Sequence, residues 1–324
     1  MTWLVTGVSG YIGTHLASDL TEKGIDFVGV DLFAKDLELG EQKYIVGDVL
    51  DLAFLEDLFE RNEFEGVIHL SSLKDATLSN TQINRYWKFN VTSTDLLVQL
   101  SIKYGVSNFV LASSAAVYGE STVASYPLQE SQKVQPDNFY GFTKLASEEI
   151  LKNSKSLGIS SISLRFFNVV GVNNTIFLGR LKGGFPVTCA EKILEGEDFE
   201  IFKAKDLTLD GTCLRDYVDV QDVSLSIVKS IFFLRNSKDS ICEVLNIGSG
   251  CEKSTLQIVR ELESLLGLRG QFKIMSSREE SSRSVADIRM AESLIDWSPS
   301  VDFSESLNSV LLNLKSFENS EQQS

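Results

Sequence analysis

Tyr140 and Lys144 stand one helical turn apart in Asn138-Phe139-Tyr140-Gly141-Phe142-Thr143-Lys144. A helix through this run puts both on one face. A free phenol, with a pKa near ~10, is a poor base at neutral pH. A neighbouring ammonium favours the phenolate, and lowering a phenol by about 3 units takes roughly 4 kcal/mol of differential stabilisation. The pair therefore predicts proton exchange with a substrate hydroxyl, although the same spacing also fits an ordinary amphipathic face. Ser114 adds to the chemical reading. Asn108-Phe109-Val110-Leu111-Ala112 reads as a strand, and Ser113-Ser114-Ala115-Ala116-Val117-Tyr118-Gly119 as the small-residue loop after it. Ser114 then falls at the carboxyl end of a strand, where open α/β sheets bind ligands. Its hydroxyl can hold a substrate hydroxyl and help move its proton. The plainer alternative is that Ser113 and Ser114 cap a turn.

The elements that must position these residues follow an alternating pattern. Strand-like runs fall at 3–6, 26–30, 43–46, 66–70, 108–112 and 159–165, with helical patterns at 11–23, 50–61, 92–104 and 140–157. This order predicts a mostly parallel sheet covered on both faces, and right-handed crossovers make it doubly wound. We expect a first domain over residues 1–168 and a smaller second lobe over 169–324, with a strand at 243–247 that rejoins the first sheet. Helices are expected at 188–194, 257–266 and 304–314, and the polar tail 316–324 is expected to fray.

The chain has 324 residues, 43% hydrophobic and 23% charged, with a net charge of −15. A surface this acidic disfavours nucleic acid and anionic membrane. An anionic ligand then needs Arg or Lys concentrated in its own pocket. The 4 cysteines form no CxxC pair and there are 2 histidines, so no metal site is expected. No apolar run has the length of a membrane span, and the start shows no cleavable leader, which favours the cytoplasm.

Thr6-Gly7-Val8-Ser9-Gly10-Tyr11-Ile12-Gly13 lies between the first strand and the first helix. Gly7 suits a tight turn, Gly10 a close approach to a pyrophosphate, and Gly13 close packing of helix on strand. The helix N-terminus then faces the phosphate charge. Asp31 ends the next strand, where a carboxylate accepts from ribose hydroxyls and repels a 2′-phosphate, so NAD is favoured over NADP. A nicotinamide cation would add to the ammonium in favouring the Tyr140 phenolate. Asp48, in Gly47-Asp48-Val49, either reaches the adenine amino group or caps the following helix.

Taken together, TGVSGYIG, Asp31, GDV, HLSSLK, Asn90, SSAAVYG, YGFTK, LRFFN, DGTCLRDYVDV and a late Arg-to-Asp segment resemble the extended short-chain dehydrogenase/reductases, most closely the UDP-hexose 4-epimerases. The likeness runs from Thr2 to about Trp297. It implies a Rossmann-type α/β fold with a smaller substrate lobe. It implies NAD held by Gly7, Gly10, Tyr11, Ile12, Gly13, Asp31, Asp48, Val49, Leu70, Ser71, Ser72, Lys74 and Asn90, with Tyr140 and Lys144. It implies a UDP-sugar bound by Ser114, Tyr140, Asn168, Phe202, Arg215, Arg278 and Ser284. Arg283 competes with Arg278 as the second diphosphate arginine, and Phe202 either packs on uracil or belongs to the core. The resemblance also implies a homodimer joined through the helices at 92–104 and 140–157, although the same stripes could pack within one chain.

Related dehydratases carry Asp-Glu just after the Ser/Thr, and UDP-glucuronate decarboxylases a Glu. Here Ala115 and Ala116 stand there and cannot transfer a proton. What the resemblance then implies is oxidation at C4 to a 4-keto sugar, rotation about the diphosphate linkage, and reduction on the other face. Three departures bear on the substrate: Val169 replaces the family's Pro, Gly183-Gly184-Phe185 lacks its Asn, and the loop at 34–42 is shortened. Ser284 stands where some relatives carry a bulky Tyr beside the sugar, which would leave room for an N-acetyl group. Net reduction or oxidation of a nucleotide sugar, and NAD sensing without chemistry, remain as alternatives.

Overall fold

Strand β1 (Thr2–Thr6) and helix α1 (Tyr11–Glu22) open the chain, followed by β2 (Phe27–Asp31), β3 (Lys43–Val46), α2 (Leu52–Arg61) and β4 (Phe64–His69). Two short helices, α3 (Ala76–Ser79) and α4 (Ile83–Tyr86), and a π-helical stretch at Trp87–Thr92 lead into α5 (Ser93–Tyr104). Then come β5 (Asn108–Ser114), α6 (Phe139–Ser154), β6 (Ser160–Phe166), β7 (Asn168–Val170), α7 (Phe185–Glu195), β8 (Asp198–Phe202) and β9 (Leu214–Asp219). The chain continues with α8 (Val220–Asn236), β10 (Cys242–Ile247), β11 (Glu252–Ser254), α9 (Thr255–Leu266), β12 (Gln271–Met275), β13 (Arg283–Ser284), α10 (Arg289–Ile295) and α11 (Phe303–Glu321). This is a computed structural model, and it describes residues 2–33, 43–120, 126–173, 175–176, 181–205, 208–276 and 282–321.

Seven strands form one sheet in the order β10-β6-β5-β4-β1-β2-β3. All of its pairings are parallel. Side chains alternate across the sheet, so β1 feeds two cores. Trp3 and Val5 pack with Leu16 and Leu20 of α1 and Ile227 of α8. Leu4 packs on the other face with Leu55 of α2, Leu97 of α5 and Leu151 of α6. The chain moves outward from β1 to β2 and β3, then returns to build β4, β5 and β6 on the other side. The order reverses between β1 and β4, and the crevice there is the binding place of a doubly wound Rossmann-type fold.

β10 pairs with β6 along its whole length, so the strand expected near 243–247 does rejoin this sheet. The remaining strands make a smaller layer. β9 sits between β11 and β13 and also pairs β7, while β12 pairs β8. Ile193, Ile201, Tyr217, Ile258 and Leu307 fill its core.

Two boundaries differ from expectation for local reasons. α2 starts at Leu52 because Asp51 is its N-cap, accepting from Ala53 N and Phe54 N at 3.0 and 3.2 Å. Asp48 is therefore not the cap; its Oδ1 accepts from Leu50 N at 2.9 Å in the turn before it. α11 stays helical to Glu321 rather than fraying from 316, after Leu307, Val310, Leu311 and Leu314 bury one face.

Candidate active site

The crevice begins at the glycine loop. Gly7 has φ +75, and a Cβ there would lie 2.8 Å from the Ser71 amide nitrogen. A Cβ on Gly13 would lie 2.2 Å from the Gly7 carbonyl oxygen and 2.7 Å from Val8 Cα. Any side chain at either position would strike backbone. The loop thus brings β1, α1 and the turn after β4 together with bare main chain facing outward. Gly10, the N-cap of α1, contributes no side-chain cap, which leaves first-turn amides for an anion. Asp31, at the end of β2, accepts from Ser9 N at 3.1 Å through Oδ2, so its carboxylate borders the same loop. These features fit a dinucleotide. Leu70 and Ser71 run against the end of β1, with Leu70 N donating to Thr6 O at 3.1 Å and Ser71 N to Thr6 Oγ1 at 3.4 Å, and Ser72 follows them half-buried. Val49 is buried just beyond β3, next to Asp48.

Asn90 is not at the surface of this crevice. It is buried on the π-helical stretch, accepting from Leu73 N at 2.8 Å and donating to Leu73 O at 3.0 Å and Thr143 Oγ1 at 2.9 Å. Its amide ties the loop after β4 to α6. Lys74 follows that loop, is exposed, and lines the cavity.

α6 carries Tyr140 into the crevice with its first amides capped. Asn138 Oδ1 accepts from Gly141 N at 2.8 Å, Ser79 Oγ from Tyr140 N at 3.0 Å, and Asn80 Oδ1 from Phe139 N at 2.9 Å. Asn138 was legible in the sequence as a helix-opening residue. Ser79 and Asn80 come from a distant element and carried no local signal. β5 ends at Ser114, whose hydroxyl lies beside the Tyr140 phenol, favours its charged form and accepts from Ala116 N at 3.2 Å. Ser114 therefore both caps the turn and meets the tyrosine.

Lys144 points to the same place but not at the phenol oxygen. Its Nζ donates to Ala112 O at 2.8 Å and lies 5.8 Å from the Tyr140 ring centroid. Burial pushes Lys144 down to about 7, against the opposing charge of Glu148. Burial pushes Tyr140 up to about 12, with the Ser114 contact opposing and Tyr86 adding to the rise. In the protein alone desolvation outweighs the stabilising contact with Ser114, so Tyr140 is a neutral phenol at neutral pH.

Tyr140 and Ser114 open on a cavity of about 750 Å³. Tyr11 and Ile12 border it from α1, and Tyr11 also donates to the Gly171 carbonyl. Asn168, Phe202 and Arg215 line it from the smaller layer. Asn168 donates to Asp216 O at 2.9 Å, and Arg215 Nη1 to Leu214 O at 3.0 Å. Phe202 is half-buried on β8, so it is a cavity wall rather than a core residue. Gly183 and Gly184 also line the cavity.

Ser284 does not line the cavity; it pairs with Arg215 across β13 and β9. Arg283 is engaged elsewhere, donating to Glu252 at 2.6 Å with its guanidinium 4.8 Å from the Tyr126 ring centroid. Arg278 lies outside the described residues, as does the shortened loop at 34–42. Among the described residues no group of three or more His, Cys, Asp or Glu could hold a metal ion, and no helix is long and apolar enough to cross a membrane.

Known proteins are similar to this chain in sequence and fold. The UDP-glucose 4-epimerase of Pasteurella multocida (strain Pm70) is 33% identical over 316 residues, covering 92% of this chain and 92% of that protein. The solved UDP-glucose-4-epimerase from Stenotrophomonas maltophila, with bound NAD and formylated UDP-arabinopyranose, superposes with a TM-score of 0.88 at 27% identity, covering 99% of each chain. MoeE5 in complex with UDP-glucuronic acid and NAD superposes with a TM-score of 0.84 at 30% identity, covering 98% of this chain and 100% of that one. Residues 3–248 match the NAD dependent epimerase/dehydratase family. With the glycine cradle, Ser114, Tyr140 and Lys144 gathered at one crevice, the chain belongs to that family.

Proposed function

We propose that this protein is an NAD-dependent epimerase that inverts C4 of a UDP-hexose through a transient 4-keto sugar. The observation that carries the reading is the Ser114–Tyr140 pair at the mouth of the cavity, with only alanine methyls in the next two positions. Ser114 and Tyr140 can exchange one proton with one sugar hydroxyl. Elimination or decarboxylation needs a further acid or base, and Ala115 and Ala116 supply none.

NAD, when bound, would supply the two-electron acceptor and donor for C4 and a positive ring that favours the Tyr140 phenolate. Gly7, Gly10, Gly13, Tyr11 and Ile12 would cradle its pyrophosphate, with Lys74 as the nearby cation. Asp31 holds the adenosine ribose and Asp48 the adenine. Tyr140 takes the C4-hydroxyl proton with Ser114 as its relay, and the neutral phenol gives it back to the keto oxygen. Arg215 grips the substrate diphosphate with its planar fork. Asn168 and Phe202 border the nucleotide and leave the sugar free to turn. Lys144 holds positive charge beneath the tyrosine.

The test is C4 inversion of UDP-glucose, UDP-GlcNAc and UDP-glucuronate by purified protein, followed by NMR. UDP-glucuronate belongs in the set because of the likeness to MoeE5. Inversion without added NADH supports the reading. Stoichiometric consumption of NADH would instead mark a nucleotide-sugar reductase, and tight NAD binding without turnover a sensor. We further propose that two copies pair through α5 and α6 in the cytoplasm. Exposed Trp87 and Phe142 on this face support the pairing, and the free cysteines support the location.

A further inference from the structure

Glu148 lies one turn beyond Lys144 on α6 and is buried. Its Oε1 accepts from Ser113 Oγ at 2.5 Å and Arg165 Nε at 3.0 Å, and its Oε2 from Arg165 Nη2 at 2.8 Å. Both side chains of this ion pair are 5% exposed. Arg165 is itself boxed in, with its guanidinium 4.8 Å from the Tyr118 ring centroid and Nη1 donating to Glu130 O at 3.4 Å. Buried pairs are weak grounds for stability, since apolar residues of similar volume often do as well. The placement of this one points to the reaction instead. Ser113 sits between Ala112, whose carbonyl takes the Lys144 ammonium, and Ser114, which lies beside the Tyr140 phenol.

We propose, resting on the epimerase reading above, that Glu148 clamped by Arg165 is a positioning residue: its carboxylate stands one turn from Lys144 on the same helix, and its bond to Ser113 fixes the strand end that presents Ser114 to Tyr140. The groups around Lys144 make the electrostatic half specific. Tyr140 and Glu148 share its helix. His69, from β4, is held neutral by burial, which pushes it down to about 3. Arg165, from β6, pairs with Glu148 and has its guanidinium against the Tyr118 ring and Glu130 O. Glu148 is the anion that opposes the effect of burial on Lys144. In a dry site such a charge acts far more strongly than in water.

The test is kcat against pH for UDP-glucose inversion by the holoenzyme, with bound NAD measured alongside. In Glu148→Gln/Arg165→Met the buried pair becomes a neutral pair of similar size, which favours folding. The alkaline limb, where Lys144 loses its proton, should move to lower pH by about half a unit or more. Ser113→Ala keeps the charge and removes one hydrogen bond. It should lower kcat by roughly threefold or more and leave the limb in place. A limb that stays put in the folded double variant, or wild-type kcat in Ser113→Ala, overturns the proposal. If the double variant does not fold, Ser113→Ala decides it alone. Wild-type protein that inverts no nucleotide sugar overturns the epimerase reading, and this inference with it. A stationary limb beside an active wild type overturns the inference only.

Discussion

Two side chains on one face of α6 have charges set by how dry that face is. Tyr140 is pushed up to about 12 and Lys144 down to about 7, both chiefly by burial. The sequence places the pair on one face, but spacing carries no information on solvent. At rest, then, the phenol is an acid ready for a keto oxygen, and its role as a base waits on an added positive charge. Replacing Tyr140 with Phe removes that proton while keeping the ring. C4 inversion should fall by about a thousandfold, within the ~10²–10⁴ range of positioned acid–base groups. The purified variant should carry as much NAD as wild type. Retention of a tenth of the wild-type rate would exclude Tyr140 as the proton carrier. The pH sign follows from Lys144, which is charged below about 7 and neutral above it, so kcat should fall as pH rises through its titration. His69, at about 3, should add no limb between roughly pH 5 and 9. Ser284 makes a third case. It sits beside Arg215 rather than in the cavity wall. Ser284→Tyr should therefore change turnover of UDP-GlcNAc and UDP-glucose by the same factor to within roughly twofold, and a selective loss of UDP-GlcNAc turnover would show that the side chain reaches the sugar.

Element placement decides whether those side chains meet. The N-terminus of α6 is held by Ser79 and Asn80 from the α3 region, itself reached through the loop that carries Lys74. Ser79→Ala removes the acceptor of the Tyr140 amide and should cost about 1 kcal/mol, seen as a lower melting temperature. kcat should fall severalfold with KM little changed, because the helix that aims Tyr140 loses one tether. An unchanged melting temperature would show that water replaces the hydroxyl. The sequence made the glycine turn, the ends of β2 and β5 and the helix of Tyr140 legible, since each is written in neighbouring residues. It did not reveal Ser79 as a cap of α6, Arg165 as the partner of Glu148, or the π-helical turn that brings Asn90 to Leu73. Those contacts join residues far apart in the chain. Asp51 displaced Asp48 as the cap of α2 for a simpler reason: two aspartates stood near one helix start, and only backbone geometry chooses between them.

The whole molecule must bind an anionic ligand although its net charge is −15. Arg215 and Lys74 bring local positive charge to the cavity, so attraction there is short-ranged and arises after the ligand has entered. On the outer face of the large sheet, α5 and α6 pack against each other and leave an aromatic edge. Trp87 is 42% exposed and Phe142 47%, and their ring centroids are 6.3 Å apart. Phe139 extends the row, 5.7 Å from Phe142. Ile102, on α5, is 39% exposed. A second copy that brings its own α5 and α6 to this edge would cover the apolar surface of both and form a bundle of four helices. Phe142→Asp puts a charge at the centre of that contact. The substitution lies on an exposed side chain, so the monomer should keep its fold and its melting cooperativity. Sedimentation equilibrium should show a dimer for wild type and a monomer for Phe142→Asp at micromolar concentration. Tyr140 sits on the same helix, two residues away, so loss of the partner should also lower kcat by loosening the start of α6. A monomeric wild type, or a Phe142→Asp protein that stays dimeric, would place the interface elsewhere.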